Sequence, residues 1–236
     1  MPSSSSSAGG ILIIGASRGL GHAMAEEFFK KGWSVVGTVR ASAARTKLHD
    51  LADRSEGRVA IETLDINEPE QLASLRARLD DRVFDMLFVN AGTTNVPTET
   101  IAEVTTEEFV RVMVTNALSP MRTVEWLQDL VSPKGLIGVM SSGQGSVSNN
   151  TTGMREVYRG SKAALNTLMR SYAARHADDA RALVLMAPGW VKTDLGGPDG
   201  RLTIEESIPN LVNVLIGQQG KRGLEYLDYL GRTVPW

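Results

Sequence analysis

Tyr158 and Lys162 are the residues of this chain best suited, by type and spacing, to move a proton. They stand four apart in a stretch of helical periodicity and so share a face. A free phenol titrates near 10. An ammonium beside it favours the phenolate and lowers that value. The expectation is a phenol brought into range as a general acid or base near neutral pH. Ser142, at the end of the preceding predicted strand, is suited to hydrogen-bond a substrate carbonyl oxygen, with Ser141 as the alternative. Tyr and Lys at this spacing also occur on ordinary helices, so the pair alone assigns no chemistry.

A second group is suited to hold phosphate. Ile11–Ile14 is a short apolar run, mostly β-branched, that reads as a buried parallel strand. It runs into Gly15, Ser17, Arg18, Gly19, Leu20 and Gly21, after which Ala23, Met24, Ala25, Phe28 and Phe29 recur at helical spacing. Strand, glycine turn and helix together present unpaired N–H groups and the positive end of a helix dipole, with no side chains to keep a pyrophosphate away. The glycines fall as G-x-x-x-G-x-G, not as the commoner G-x-G-x-x-G. A tight turn without a ligand is the other reading.

The second predicted strand, Trp33–Val39, ends at Arg40, 21 residues after Gly19. An acid that takes ribose hydroxyls is expected roughly 20 residues past such a turn. With Arg40 there, and Arg18 inside the turn, two guanidinium groups are available for a 2′-phosphate. The pair favours NADP over NAD. Either arginine alone reads equally well as a solvated surface charge.

The elements that must position these residues alternate. Strands are predicted at Val59–Leu64, Phe84–Val89, Leu136–Met140, Leu183–Met186 and Leu224–Tyr229. Helices are predicted at 68–79 with Asn67 as N-cap, from about Thr106 to Leu130, from about Val157 to Ala177 and at 204–216. Asn116 falls in the middle of the second of these, an unfavourable place for an Asn. Such alternation implies a doubly wound α/β domain, a parallel sheet with helices on both faces, whose ligands bind at the carboxyl ends of the strands. The glycine turn, Arg40, Asp65-Ile66, Asn90-Ala91-Gly92, Ser141-Ser142 and Pro188-Gly189 all fall at such ends. A glycine-rich segment, 191–201, reads as a flexible loop able to close over substrate. Trp190, Met154 and Val147 suggest an apolar wall for the pocket.

The 236 residues suffice for one such domain. Net charge is −2, too little for a basic field to attract nucleic acid. Without cysteine, disulfides, thiolate catalysis and cysteine metal sites are excluded. His22, His49 and His176 show no metal-ligand spacing, so no metal site is expected. No apolar run reaches membrane length. Residues 1–9 read as a disordered leader with no secretory pattern, ahead of a domain over 10–236, and a cytoplasmic location is the default.

Taken together, the sequence resembles the short-chain dehydrogenases/reductases. The likeness rests on the Gly15–Gly21 turn, Asp65-Ile66, Asn90-Ala91-Gly92, Asn116, Ser142, Tyr158-x-x-x-Lys162 and Pro188-Gly-Trp-Val-Lys-Thr193, in family order. The long spacing from Ser142 to Tyr158, Asp194–Gly197 and the closing Val234-Pro-Trp236 resemble the branch of C-factor-like proteins and Sniffer-type carbonyl reductases. The resemblance implies an NADP(H)-dependent oxidoreductase acting on a small carbonyl or alcohol. Tyr158 would be the general acid or base, Ser142 would orient the carbonyl, and Lys162 would lower the phenol and hold the nicotinamide ribose. Asn116 would keep a water chain to Lys162. The resemblance further implies adenine contacts by Asp65 and Ile66, a cleft lined by Asn90, Ala91 and Gly92, and Pro188, Gly189, Val191 and Thr193 beside the nicotinamide. A homodimer or homotetramer is the family habit. Ile14 departs from the pattern, since the family has a threonine hydroxyl there that helps fix the turn. The other function compatible with these residues is an NADP-binding sensor or signalling protein.

Overall fold

A computed structural model describes residues 8–41 and 44–236. Seven strands form one parallel sheet in the order β3-β2-β1-β4-β5-β6-β7. The strands are β1 (Gly10–Ile14), β2 (Ser34–Val39), β3 (Val59–Thr63), β4 (Phe84–Val89), β5 (Val131–Met140), β6 (Ala182–Ala187) and β7 (Gly223–Asp228). The helices are α1 (Gly19–Lys30), α2 (Lys47–Asp53), α3 (Pro69–Arg78), α4 (Thr106–Met113), α5 (Ser119–Leu127), α6 (Glu156–Arg175) and α7 (Ile204–Gln218). The expected doubly wound Rossmann-type domain is what forms.

Strand β1 shows why the core has two halves. Ile11, Leu12, Ile13 and Ile14 are all fully buried, and alternate side chains leave a strand on opposite faces. Leu12 and Ile14 join Leu72 and Leu75 of α3, Val124 and Leu127 of α5, and Leu165 and Met169 of α6. Ile11 and Ile13 join Met24 and Phe28 of α1, Leu48 and Leu51 of α2, and Leu211 and Leu215 of α7. β1 pairs with β2 on one side and β4 on the other. Strand order therefore reverses at β1, and this switch point opens a crevice at the carboxyl ends.

The structure differs from the sequence reading in several places. The short helix α2 was not among the predicted elements. Its seven residues offer only Leu48 and Leu51 as buried positions, too few for a visible period. Asn67 does not cap α3, whose cap position is Glu68 with no side-chain cap. Instead Asn67 Nδ2 donates to Thr115 Oγ1 at 3.1 Å, and its Oδ1 accepts from Ser119 Oγ at 2.9 Å. The long helix expected from Thr106 to Leu130 is broken by a π-helical turn over Val114–Leu118. Pro120 supplies no N–H to the Asn116 carbonyl at the i→i−4 position, and the helix widens there. Strand β5 begins at Val131 rather than Leu136, with a register shift against β4. Residues 1–7 of the expected leader lie outside the described residues. Of its last two, Ala8 donates to the Gly32 carbonyl, and the Gly9 carbonyl accepts from Ser34 N–H. Among the described residues no helix is long and apolar enough to cross a membrane.

Helix α1 meets the sheet at a single tight crossing. A Cβ on Gly21 would lie 2.0 Å from the Gly15 carbonyl oxygen and 2.5 Å from Asn90 Nδ2. Gly21→Ala must push α1 off β1, and overpacking of this kind costs roughly 1–3 kcal/mol. The variant is expected to melt several degrees below the parent by circular dichroism, and an unchanged melting temperature would contradict the crossing.

Candidate active site

One cleft of about 1000 Å³ runs along the carboxyl ends of the strands. Almost every residue selected from the sequence lines it. At one end stand Gly15, Ser17, Arg18, Gly19, Leu20, Arg40, Asp65 and Ile66. Asn90, Ala91 and Gly92 form the middle. Ser142, Tyr158, Lys162, Pro188, Gly189, Val191 and Thr193 form the other end. Of the expected catalytic and cofactor-binding residues, two are not on the wall. Gly21 lies behind the turn, where its lack of a Cβ lets α1 approach. Asn116 is fully buried behind Gly92.

The turn is built around glycines. Gly15 has φ +86, and a Cβ on it would meet Ala91 at 2.9 Å. The missing threonine hydroxyl at Ile14 has a counterpart. Gly15 N–H donates to the Thr38 hydroxyl on β2 at 2.8 Å, and Asn90 Nδ2 donates to the Gly15 carbonyl at 2.8 Å. Thr38 is buried and sits inside an apolar strand, so nothing in its spacing marks it out. Arg40 is exposed at the rim. Arg18 reaches across the mouth to Asp194 at 3.4 Å. Both side chains are largely exposed, and such pairs contribute little, roughly 0–1 kcal/mol. Arg18 is therefore not held away from an anion.

Ser142 is pinned from three directions. Its hydroxyl accepts from Gln144 N–H at 3.1 Å, and its carbonyl accepts from Gly145 N–H at 2.8 Å and from the buried Tyr226 hydroxyl of β7. Ser141 is not free for substrate. Its hydroxyl donates to Asn166 Oδ1 at 2.6 Å and is buried. Both serines line the cleft, and Ser142 is the one whose hydroxyl is not taken up by Asn166. Asn116 Oδ1 accepts from Thr93 N–H at 2.8 Å, while its Nδ2 donates to Thr93 O and Ser161 Oγ, each at 2.9 Å. That side chain ties the loop after β4 to α6.

Tyr158 and Lys162 do share the buried face of α6. The phenol is not lowered as expected. Burial pushes it above its ordinary value, and the Ser142 hydroxyl and the Arg155 guanidinium pull it only part of the way back. The ammonium is turned elsewhere: Lys162 Nζ lies 5.9 Å from the tyrosine ring centre and donates to the Met140 carbonyl at 2.9 Å. Burial lowers Lys162 to about 8. In the chain alone, desolvation outweighs the attraction that sequence spacing suggests.

The segment 191–201 is more tied than its glycines suggest. Trp190 Nε1 donates to Gly196 O at 2.7 Å, Gly196 N–H donates to Thr193 Oγ1 at 2.9 Å, and Lys192 N–H donates to Leu202 O at 2.9 Å. Trp190 lines the cleft, whereas Met154 and Val147 are exposed outside it. The sequence reading singled out neither Thr38 nor Thr233 and gave Val234 and Pro235 no place on the wall, yet all four line the cleft. No period marks them.

The sheet order, the switch-point cleft and the glycine turn define a Rossmann-type dinucleotide-binding architecture. The short chain dehydrogenase family profile matches residues 10–201, and the chain belongs to this oxidoreductase family. It is 65% identical, with a TM-score of 0.95 and coverage of 96% of this chain and 99% of the other, to a Burkholderia multivorans chain assigned to the short-chain dehydrogenases/reductases and solved with bound NADP. A carbonyl reductase from Pseudomonas aeruginosa in complex with NADP is 33% identical over 96% of this chain and 99% of that one, with a TM-score of 0.89. The C-signal of Myxococcus xanthus is 33% identical over 64% of this chain and 92% of that protein.

The lysine carries a pH signature. Lys162 titrates at about 8 instead of 10.5. Between those values the unfolded chain binds more protons, so this group makes stability rise with pH across the window and withholds that gain below it. Without nucleotide, the melting temperature of the parent relative to Lys162→Met is expected to rise as the pH goes from about 8 toward 10.5. Parallel melting curves for the two proteins would contradict a depressed lysine.

Proposed function

We propose that this chain is an NADPH-dependent carbonyl reductase, with Tyr158 as the proton donor to the carbonyl oxygen. The observation that carries the reading is the single cleft. It is lined at one end by the glycine turn with Arg18 and by Arg40 at the end of β2, and at the other by Ser142, Tyr158 and Lys162. The turn fits a pyrophosphate at Gly19, which opens α1 and has nothing within 4 Å of where a Cβ would stand. Arg18 and Arg40 would hold the 2′-phosphate, with no acid at the end of β2 to repel it. Asp65 and Ile66 would meet the adenine, and Asn90, Ala91 and Gly92 the ribose. Pro188, Gly189, Val191 and Thr193 would flank the nicotinamide. When bound, the cofactor supplies the hydride. NADP in the 65% identical relative, and in the Pseudomonas carbonyl reductase, supports that choice.

The protein's own part is orientation and proton transfer. The Ser142 hydroxyl orients the carbonyl oxygen toward the phenol. A phenol held neutral by burial is a proton donor throughout the neutral range. In the alcohol-oxidising direction the same group must lose its proton, and there the cationic Arg155 and Lys162 favour the phenolate. Lys162, kept beside Met140, would hold the nicotinamide ribose, and the Asn116 clamp on Thr93 keeps the cleft floor beside it in place. Residues 10–236 act as one catalytic domain.

A second reading has one observation in its favour, the likeness to a protein named C-signal. It would make this chain an NADP-binding signalling protein. Tyr158→Phe separates the two. It is expected to lower kcat for carbonyl reduction by about 10²–10⁴-fold while NADPH titration by fluorescence is little changed. Undiminished turnover would sink the assigned proton donor, and a cellular effect that survives the substitution would favour signalling. Arg40→Ala is expected to weaken NADPH by at least about tenfold, the scale of one lost charge-assisted bond, with NADH barely affected. Equal losses for both nucleotides would return Arg40 to the surface charges.

A further inference from the structure

Arg155 is the cleft residue whose backbone and unpaired guanidinium the proposed chemistry does not account for. It immediately precedes α6, three residues before Tyr158, and its guanidinium carbon stands 5.1 Å from the Tyr158 ring centre. It lines the cleft at the end that holds Ser142 and Tyr158. Its backbone is left-handed, φ 63 and ψ 42, a region non-glycine residues rarely adopt. Only two non-glycine residues among those described have positive φ. Unusual backbone of this kind collects at functional sites, and here it belongs to the residue whose cation lies against the tyrosine.

The other cations along the cleft have assignments. Arg111 is held by Glu108 and Thr93, Arg232 by Asp228, and Lys162 by Met140 O. Arg18 and Arg40 stand at the opposite end. Arg155 forms no ion pair among the described residues, and its buried Nε–H has no acceptor. The adjacent acid, Glu156, is spent on Ile101 N–H at 2.7 Å. Gln144 is the partner in this pattern. Its buried Oε1 also lacks a hydrogen bond, and it lines the same cleft. Thus two of the three orphaned buried side-chain atoms among the described residues border one wall of the substrate end. Buried polar groups are satisfied almost everywhere in proteins, so orphans gathered at a cleft call for a ligand with matching groups.

We propose that Arg155 is a specificity-determining residue that selects carbonyl substrates bearing a carboxylate a few bonds from the reacting carbon: oxo acids over their neutral analogues. This rests on the reductase reading above. The carboxylate takes the guanidinium through charge-assisted bonds, and a polar substituent meets Gln144. The carbonyl oxygen lies toward Ser142 and Tyr158. The oxo acid gains a hydride at carbon from NADPH and a proton at oxygen from Tyr158, and leaves as the hydroxy acid with NADP. The short distance from Arg155 to the phenol ring is what limits the carboxylate to a few bonds from the carbonyl.

The test compares phenylglyoxylate with its methyl ester, with NADPH as reductant, in the parent, Arg155→Gln and Arg155→Lys. The ratio of kcat/KM, acid over ester, is expected to fall at least about tenfold in Arg155→Gln, chiefly through KM, and to recover in part in Arg155→Lys. An unchanged ratio overturns the proposal. So does a parent that reduces the ester and not the acid, although that outcome leaves the reductase reading standing. An effect exerted only through the Tyr158 proton would shift both pH profiles together and leave the ratio where it was. If the parent reduces neither compound, calorimetric titration of mandelate into the NADP complex decides. Binding that Arg155→Gln abolishes supports the anion site even as the reductase reading fails, and absent or unaltered binding overturns it.

Discussion

The crossing of α1 over the end of β1 is the constraint on which the rest depends. The Gly15 carbonyl accepts Asn90 Nδ2, while Gly21 passes so close that no Cβ fits between them. Three elements meet there: β1, the end of β4 and the first turn of α1. The Ile14 carbonyl adds to this junction by accepting the N–H groups of both Asn90 and Ala91. Because the junction sits at the switch point of the sheet, it sets both the mouth of the cleft and the direction of the α1 dipole. A change of a few tenths of an ångström there would move the glycine turn and the β4 loop together.

From that junction, order passes to the chemical end through Thr93. Its backbone is held by Asn116, whose side chain also reaches Ser161 on α6, one residue before Lys162. The π-turn makes this possible, since an Asn in a regular helix competes with its own backbone. Here the helix is already widened next to Pro120. On the other side, Tyr226 and Asn166 anchor the loop after β5, and Asn166 takes up the Ser141 hydroxyl but not that of Ser142. The site is therefore carried by helices and strands, with the loops tied to them, which is the arrangement that holds reacting groups to close tolerance.

The electrostatics of the site follow from its dryness. Tyr158 and Lys162 are both nearly inaccessible, and each is driven toward its neutral form by burial. A buried cation and an incipient anion gain from each other only when close and well aimed. With the ammonium directed at Met140 O, the cation nearest the phenol ring is Arg155. The chain thus keeps the tyrosine protonated by desolvation and brings positive charge near it from Arg155.

The alternation of strands and helices, the glycine turn, the polar clusters at strand ends and the Tyr158–Lys162 face could all be read from residue order. Each depends on local periodicity or short spacing, which a chain carries whatever its partners in space. Hence the doubly wound fold and the strand ends that line much of the cleft were legible beforehand. Tertiary structure alone decided that Thr38 supplies the hydroxyl absent at Ile14, that Asn67 ties a loop to the helix break instead of capping α3, and that Ser141 is buried against Asn166. It alone decided that burial raises the Tyr158 phenol, and that Arg155 lies over its ring. The reason is common to all of them. Hydrogen bonds between residues distant in sequence, and the free energy of removing a charge from water, depend on the surroundings that packing creates, and no spacing along the chain records those surroundings.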